Sequence, residues 1–555
     1  MSTHESQGTD YWVPVGKAVD RIKNAPHRTG RRFLILGAGM AGLAAAYELQ
    51  QLGYDVQILE GSSRVGGRVL THRFANGARG ECGAMRVPRA HDYTYHYAKV
   101  AGLGPKDWGR FWNTTRFFDV RGRFVPTDAF PSEILALFCD ALNDAEQKAV
   151  TGKPRDEALG ALLQLYMEPI FKQLTLAEIQ ALLAGDFSRP KLRAFDAKTW
   201  LQVLKEGGAS EAALELLGRG LSLKASWDWS FAAILRDELA QAGSEGIFCE
   251  IKEGMDRLTN GLVKKLLPDT IQLDCRILGI LREGNQGGTV LVKNTRTDEP
   301  AVPVPFDFLL CTLPFSVLRH LRISGFSPEK MEAIRALPYV PSSKVFLNYD
   351  RRWWQEEPFK ALGGRFVSDQ PDGKVLIPRQ AYFPADGTPA PCGDALPEEA
   401  AGLTAVTYDG RTLPGLFSLY TGESLPAPVG EAGLATAEAD RPGTILAAYT
   451  LTEGAEQACA DRDPVQRVLQ SFPQRLREPA TRFKESFAWC WNRSEWAKGA
   501  LAITTPGYLS RHFQLSKREE GSVYFAGEHV SITPGWIQGS LESSLREVAR
   551  MLERA

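Results

Sequence analysis

Residues 32–60 read RFLILGAGMAGLAAAYELQQLGYDVQILE, and this stretch decides the fold class. Phe33 to Leu36 is a short apolar run suited to a strand buried on both faces of a parallel sheet. Gly37-Ala38-Gly39-Met40-Ala41-Gly42 follows, then a helical stretch carrying Leu43, Tyr47 and Leu49. A second strand, Asp55 to Leu59, ends on Glu60. Strand, glycine turn, helix, strand and terminal acid, in that order, make a dinucleotide-binding βαβ unit. Gly37 permits the tight turn, Gly39 lets the backbone approach a pyrophosphate, and Gly42 lets helix and strand pack closely. Glu60 can accept hydrogen bonds from an adenosine ribose and would repel the extra phosphate of NADP.

The rest of the composition excludes more than it assigns. The 555 residues carry a formal net charge of −1, which gives no electrostatic case for nucleic acid or an anionic membrane as partner. No apolar run reaches the roughly 20 residues that span a bilayer. The first ten residues are polar and lack the apolar centre of a signal peptide. The eight cysteines are scattered without a CxxC, and the eight histidines show no metal-ligand spacing. The expectation is a cytoplasmic, reduced protein with neither a metal site nor a disulfide framework.

Just beyond Glu60 comes SSRVGGRVLT. Glu60-x-x-x-Arg64-x-Gly66-Gly67-Arg68 resembles the second flavin motif of the FAD-dependent amine oxidase superfamily, the monoamine oxidase-like proteins. The likeness returns at intervals. EIKEGMDRLTNGL (Glu250 to Leu262) is similar to the family's glycine-methionine turn. IQLDCRILGI (Ile271 to Ile280) resembles the strand beside the adenine, and DFLLCTLP (Asp307 to Pro314) the strand that closes the FAD-binding sheet. GEHVSITPGWIQGSLESS (Gly527 to Ser544) resembles the last flavin segment, followed by a helix whose apolar face is Ile537, Leu541, Leu545, Val548 and Leu552.

The resemblance implies FAD held by Gly37, Ala38, Gly39, Met40, Ala41 and Gly42, with Glu60 and Gly61 at the ribose. Arg64, Gly67 and Arg68 would face the diphosphate, where arginine is a good partner. Ala84, Met85 and Arg86 would line the flavin, Ile277 the adenine, and Gly527 with Glu528 the ribityl chain. N–H groups near Trp536 and Ile537, at a helix start, would face the flavin pyrimidine. The stretch near Gly499-Ala500 lacks the cysteine that tethers flavin in monoamine oxidases, so the FAD should be non-covalent.

The fold class expected is α/β and α+β: a discontinuous Rossmann-like FAD-binding domain, a mixed-sheet substrate domain and an inserted helical subdomain. The FAD domain should comprise 30–88, 245–320 and 515–555, the substrate domain 89–109 and 321–514, and the helical subdomain 110–244. A capping box, Thr175-x-x-Glu178, opens one of the helices. Asp386 to Pro442, rich in Gly, Pro, Ala and Glu, is an insertion that is either disordered or functional.

Arg86, in GAMRVP, stands where the L-amino-acid oxidase branch keeps a carboxylate-binding arginine, against the alternative of a structural salt bridge. Tyr382, in RQAYFP, resembles the tyrosine that adds a second bond to that carboxylate. The Gly535 carbonyl would accept from the substrate amine, Trp536 would wall the pocket, and Trp491 would form another aromatic wall. Lys344, in PSSKVFLNY, sits where the family holds a water against flavin N5 and assists the reaction with oxygen. Lys344 and Trp536 are thus the candidate catalytic residues, and no metal is involved.

The function implied is an FAD-dependent L-amino-acid oxidase, which converts an L-amino acid and O2 to a 2-oxo acid, ammonia and hydrogen peroxide. The alternatives are an L-amino-acid 2-monooxygenase, an amine or polyamine oxidase, and a flavin-binding scaffold acting through partner proteins. A basic substrate would need an acid deep in the pocket, Asp228 or Glu250 being candidates. A homo-oligomer, dimer or tetramer, is expected.

Overall fold

The computed structural model describes residues 13–356, 364–368, 374–377 and 440–555, apart from 27–29, 112–114, 121–122, 127–132, 134, 154, 222, 242–247, 283, 285–286 and 473. Tyr382, Cys392 and nearly all of the 386–442 insertion lie outside the described residues.

Strand Arg32–Leu36 is the centre of a five-stranded parallel sheet. The order is Ile271–Gln272, Asp55–Leu59, Arg32–Leu36, Phe308–Cys311, Val523–Phe525, so the sheet draws on segments almost 500 residues apart. Phe33 lies opposite both Val56 and Phe308. Alternate side chains serve opposite faces, as a strand's period of two requires. Phe33 and Ile35 enter one apolar cluster with the helices Met40–Gln51 and Ile537–Arg554. Leu34 and Leu36 enter another, with Ile277, Ile280 and Val290 of a four-stranded sheet. Helix Met40–Gln51 packs closely because its inner face is small: a Cβ on Gly42 would lie 2.0 Å from the Gly37 carbonyl oxygen. Ser544 ties the C-terminal helix to it by donating to the Ala41 carbonyl at 2.7 Å.

A second, seven-stranded sheet is mixed. Its order is Glu485–Cys490, Ser342–Tyr349, Gly443–Leu451, Lys374–Ile377, Gly364–Ser368, Thr115–Val120, Arg123–Pro126. Every residue of Ser342–Tyr349 is buried, so both faces of that strand are covered. Helices between Asp144 and Gln241 enclose a third core that includes Leu162, Leu182, Trp200, Leu217 and Leu235. The capping box forms as expected: Glu178 N–H donates to Thr175 Oγ1 at 3.2 Å, and Thr175 N–H to Glu178 Oε2 at 2.8 Å. No described helix is long and apolar enough to cross a membrane.

Four expectations are corrected. Ile271 to Ile280 is two strands rather than one: the chain breaks at Asp274, φ +60°, and Cys275–Arg282 leaves for the four-stranded sheet. Phe308–Cys311 does not close the parallel sheet but lies inside it, with Val523–Phe525 at the edge. The segment expected to open the helical region instead carries strands up to Pro126, because Thr115–Val120 pairs with Gly364–Ser368. Cys459 and Cys490 form a disulfide across 31 residues, with Cα atoms 5.8 Å apart. That bridge joins helix Thr452–Ala460 to strand Glu485–Cys490 and removes the cysteine argument for a reducing compartment.

Candidate active site

One cavity of about 470 Å³ runs between the two sheets and reaches the helical region. At one end lies the start of helix Met40–Gln51, where Gly39 is the N-cap with extended backbone and no side chain caps the free N–H groups. Gly37, Gly39, Met40 and Ala41 line the cavity there. Such an uncapped start favours an anionic group such as a diphosphate. Glu60 is fixed beside it: Oε2 accepts from Ala38 N–H at 2.7 Å, and Oε1 from Ser62 N–H at 2.9 Å and Ser62 Oγ at 2.8 Å. Ala38 and Gly42 themselves are not on the wall; they shape the turn behind it. Gly61 has no room for a side chain, since a Cβ would lie 2.3 Å from the Trp496 ring, which also lines the cavity.

Both arginines of the second motif reach the wall and are held by protein acceptors. Arg64 donates to the carbonyls of Val65 and Gly67 at 3.0 and 2.6 Å, bracing the glycine loop. Arg68 donates to Glu528 Oε1 at 2.6 Å and to the Ala500 carbonyl at 2.9 Å. Glu528 also accepts from Gly535 N–H at 2.8 Å, so one carboxylate joins the loop after Glu60 to the turn before the last helix. Gly527, Gly67 and Ile277 line the same arm.

A second uncapped helix start closes the other side. Trp536 is the N-cap of Ile537–Arg554, with no side-chain cap, and Gly535, Trp536 and Ile537 all face the cavity. Gly535 has φ +80°, a conformation that glycine supplies without strain. The helix is locked from behind: Gln538 Nε2 donates to Asp92 Oδ1 at 2.6 Å and Gln538 Oε1 accepts from Thr94 N–H at 3.2 Å.

Arg86 lies beside this turn with Ala84 and Met85. Its guanidinium stands 4.7 Å from the centre of the Phe248 ring, 5.7 Å from Trp536 and 6.0 Å from Phe111. Aromatic faces on this scale favour the cation and hold its plane. Trp536 is set in turn by His91, edge-on at 5.2 Å.

Lys344 occupies the centre of a cross-strand row. It pairs with Tyr449 on one neighbouring strand and Trp489 on the other, and all three line the cavity. Its Nζ donates to the carbonyls of Glu81 at 2.8 Å and Gly83 at 2.7 Å, and lies 4.9 Å from the centre of the Tyr449 ring. Burial pushes the Lys344 pKa down to about 8, with the neighbouring Cys82 and Glu81 side chains opposing the shift. Burial likewise raises the Tyr449 phenol against the pull of Arg86, which keeps it a donor at neutral pH. Trp491 is both core and wall: it lines the cavity while its Nε1 donates to the Cys82 carbonyl at 2.8 Å.

Cys82 is the one cysteine on the wall among the described residues. Burial pushes its thiol up to about 12, so it carries no thiolate for covalent attachment. Among the described residues no group of three or more His, Cys, Asp or Glu could hold a metal ion.

Reasoning from sequence missed Tyr449, Trp489, Trp229 and Asp237, all on the wall. Trp489 and Trp491 carried a usable signal, two residues apart at a strand end and so able to share one face. Asp228 and Glu250, the candidate acids, are not on the wall; Glu250 lies in strand Phe248–Ile251 opposite Gly109.

Known proteins resemble this chain along most of its length. The profile of the flavin containing amine oxidoreductases matches residues 40–552. A flavin-dependent L-tryptophan oxidase of Lentzea aerocolonigenes is 28% identical over 548 residues, covering 94% of this chain and 98% of the relative. An L-amino-acid oxidase of Vipera ammodytes ammodytes is 24% identical, covering 95% and 93%. Among solved structures, a putrescine oxidase bound to putrescine superposes with a TM-score of 0.67 at 17% identity, covering 94% of this chain and 98% of its own. A cyclohexylamine oxidase from Brevibacterium oxydans superposes at 0.63 with 16% identity, covering 94% and 99%.

Proposed function

Because this chain belongs to the flavin containing amine oxidoreductases, FAD-dependent oxidoreductases by chemistry, we propose that it is an L-amino-acid oxidase. The observation that carries the reading is Arg86, set in an aromatic box on the cavity wall beside Trp536 and Lys344. The planar fork of a guanidinium on the cavity wall matches an α-carboxylate, a group that a simple amine lacks.

The residues present fit FAD. The uncapped start of Met40–Gln51 suits the diphosphate and Glu60 the adenosine ribose. The uncapped start of Ile537–Arg554 suits the electron-rich end of the flavin. FAD, when bound, takes two electrons from the amino acid and passes them to O2.

The chain's own groups do the rest. Arg86 fixes the carboxylate, and Tyr449, next to it across the sheet from Lys344, is a phenol donor able to add a second bond. The Gly535 carbonyl receives the amine, and Trp491 and Trp536 exclude water from the reacting carbon. Alignment of this kind supplies much of the rate, and no dedicated base is required when the amine enters neutral. The imino acid then takes up water, so that amino acid, O2 and water yield 2-oxo acid, ammonia and hydrogen peroxide. Lys344 is the residue that favours electron transfer to oxygen. The proposed division has 30–88, 245–320 and 515–555 holding FAD and 89–109 with 321–514 binding substrate, with the helical region inserted between them.

The reading is tested by anaerobic mixing with paired substrates. L-Amino acids should bleach the bound flavin, and the amines made by decarboxylating them should leave it yellow. Bleaching by the amines alone would make the protein an amine oxidase.

A further inference from the structure

We propose that Asp92 is a positioning residue for the flavin side of the site, passing the hold of the N-terminal helix Val15–Lys23 through Gln538 to the turn Gly535–Ile537. This rests on FAD occupying the cavity and is independent of which substrate is oxidised.

Helix Val15–Lys23 precedes the βαβ unit and contributes no residue to the cavity wall. Its buried residues Ala18, Val19 and Ile22 join the apolar cluster that holds Leu541, Leu545 and Val548 of helix Ile537–Arg554. Arg21 pairs with Glu553 at 2.8 Å near the far end of that helix. The contact that matters lies at the other end. Val15 N–H, in the first turn of its helix and so without a partner inside it, donates to Asp92 Oδ2 at 2.9 Å. The second oxygen, Oδ1, accepts from Gln538 Nε2 at 2.6 Å. Gln538 Oε1 in turn accepts from Thr94 N–H at 3.2 Å and Thr94 Oγ1 at 3.3 Å. Asp92, Thr94 and Gln538 are all buried, and Gln538 is the second residue of helix Ile537–Arg554.

The relay has a polarity. It begins and ends on backbone donors, Val15 N–H and Thr94 N–H. Each needs an acceptor, and the two side chains between them must also bond each other. One carboxylate and one amide meet that count. Two amides leave a donor facing a donor in a buried place, and two carboxylates leave two acceptors facing. Burial raises the Asp92 carboxyl, and the bonds from Val15 and Gln538 pull it back. With the acid at 92 and the amide at 538, formal charge also stays off the helix start, where reduced flavin becomes electron-rich. A backbone donor of the N-terminal helix thus fixes Asp92, Asp92 fixes Gln538, and Gln538 holds the first turn against the cavity.

The experiment uses three variants of the full chain, each purified as holoprotein: Asp92→Asn, Asp92→Asn with Gln538→Glu, and Val15→Pro. FAD release on dilution is followed by flavin fluorescence, and thermal unfolding by circular dichroism. Asp92→Asn, which puts two amides in the relay, should weaken FAD retention by about tenfold. The double variant restores one carboxylate and one amide in reversed order, and should bring retention back to within about threefold of the wild type. Val15→Pro deletes only the N–H, since proline suits the first helical position and Pro14 before it is already extended. It should weaken retention roughly threefold. It should also lower the reduction potential of the bound flavin, measured with dithionite against a reference dye, although it alters no charge. An Asp92→Asn protein that keeps FAD as well as the wild type overturns the proposal, as does a double variant no better than the single one. If Asp92→Asn fails to fold, Val15→Pro still decides: a lower unfolding temperature with retention and potential unchanged would make Asp92 a structural residue only. None of these readouts uses an amino acid, so a failure of the oxidase reading leaves them standing.

Discussion

Replacing Arg86 with alanine is expected to lower kcat/KM for L-amino acids by roughly 30- to 5,000-fold, while the visible flavin spectrum stays nearly unchanged. The range corresponds to about 2–5 kcal/mol, the usual loss when one member of a buried, charge-assisted pair is removed. The guanidinium is pre-set by the rings of Phe248, Trp536 and Phe111, so little ordering remains when the carboxylate arrives. Arg86→Lys should recover only part of the loss, because an ammonium keeps the charge but not the two parallel bonds. Steady-state kinetics on purified holoprotein measures both. A variant with unaltered kcat/KM and weakened folding would return Arg86 to a structural role.

Lys344→Met should separate the two half-reactions. Reoxidation of reduced flavin by O2 should slow on the order of 100-fold, and reduction by the amino acid much less. Oxygen is reduced one electron at a time, and a cation in a site shielded from water stabilises the superoxide that forms first. Alignment of the amino acid depends instead on Arg86, Gly535 and Trp536. The pH dependence follows from the same charge. With its pKa pushed down to about 8, Lys344 is an ammonium below that value and a neutral amine above it. The oxygen reaction of the wild type should therefore slow as pH rises through about 8, and the methionine variant should lose that dependence. Stopped-flow measurement of each half-reaction across pH decides the matter, and equal slowing of both half-reactions would make Lys344 a structural residue.

What was legible in the sequence was what is local. The βαβ unit could be read because each part acts within a few residues: Gly37 turns the chain, Gly42 admits the helix, and Glu60 reaches back to Ala38. Arg86, Lys344, Gly535 and Trp536 were found through motifs that are themselves short. The strand Thr115–Val120 was hidden because its partner lies about 250 residues on, and pairing at that distance leaves no periodic trace in a helix-rich stretch. The same is true of the Cys459–Cys490 bridge, which depends on where a helix and a strand end rather than on spacing. Asp237 was invisible for a related reason. Asp228, Asp237 and Glu250 look alike as isolated acids, and only the packing of helix Phe231–Gln241 decides which of them meets the cavity. Tyr449 illustrates the sheet version: its place beside Lys344 is a matter of register, set by the whole pairing of Ser342–Tyr349 with Gly443–Leu451.

The central claim is the reaction, and its products test it most directly. Purified holoprotein turning over a single L-amino acid in air-saturated buffer should form one 2-oxo acid, one ammonia and one hydrogen peroxide for each O2 consumed initially, and a parallel reaction with catalase, which removes the peroxide before it attacks the 2-oxo acid, should release no carbon dioxide. Carbon dioxide and the amide one carbon shorter, in place of peroxide, would contradict the account and make the protein a decarboxylating monooxygenase.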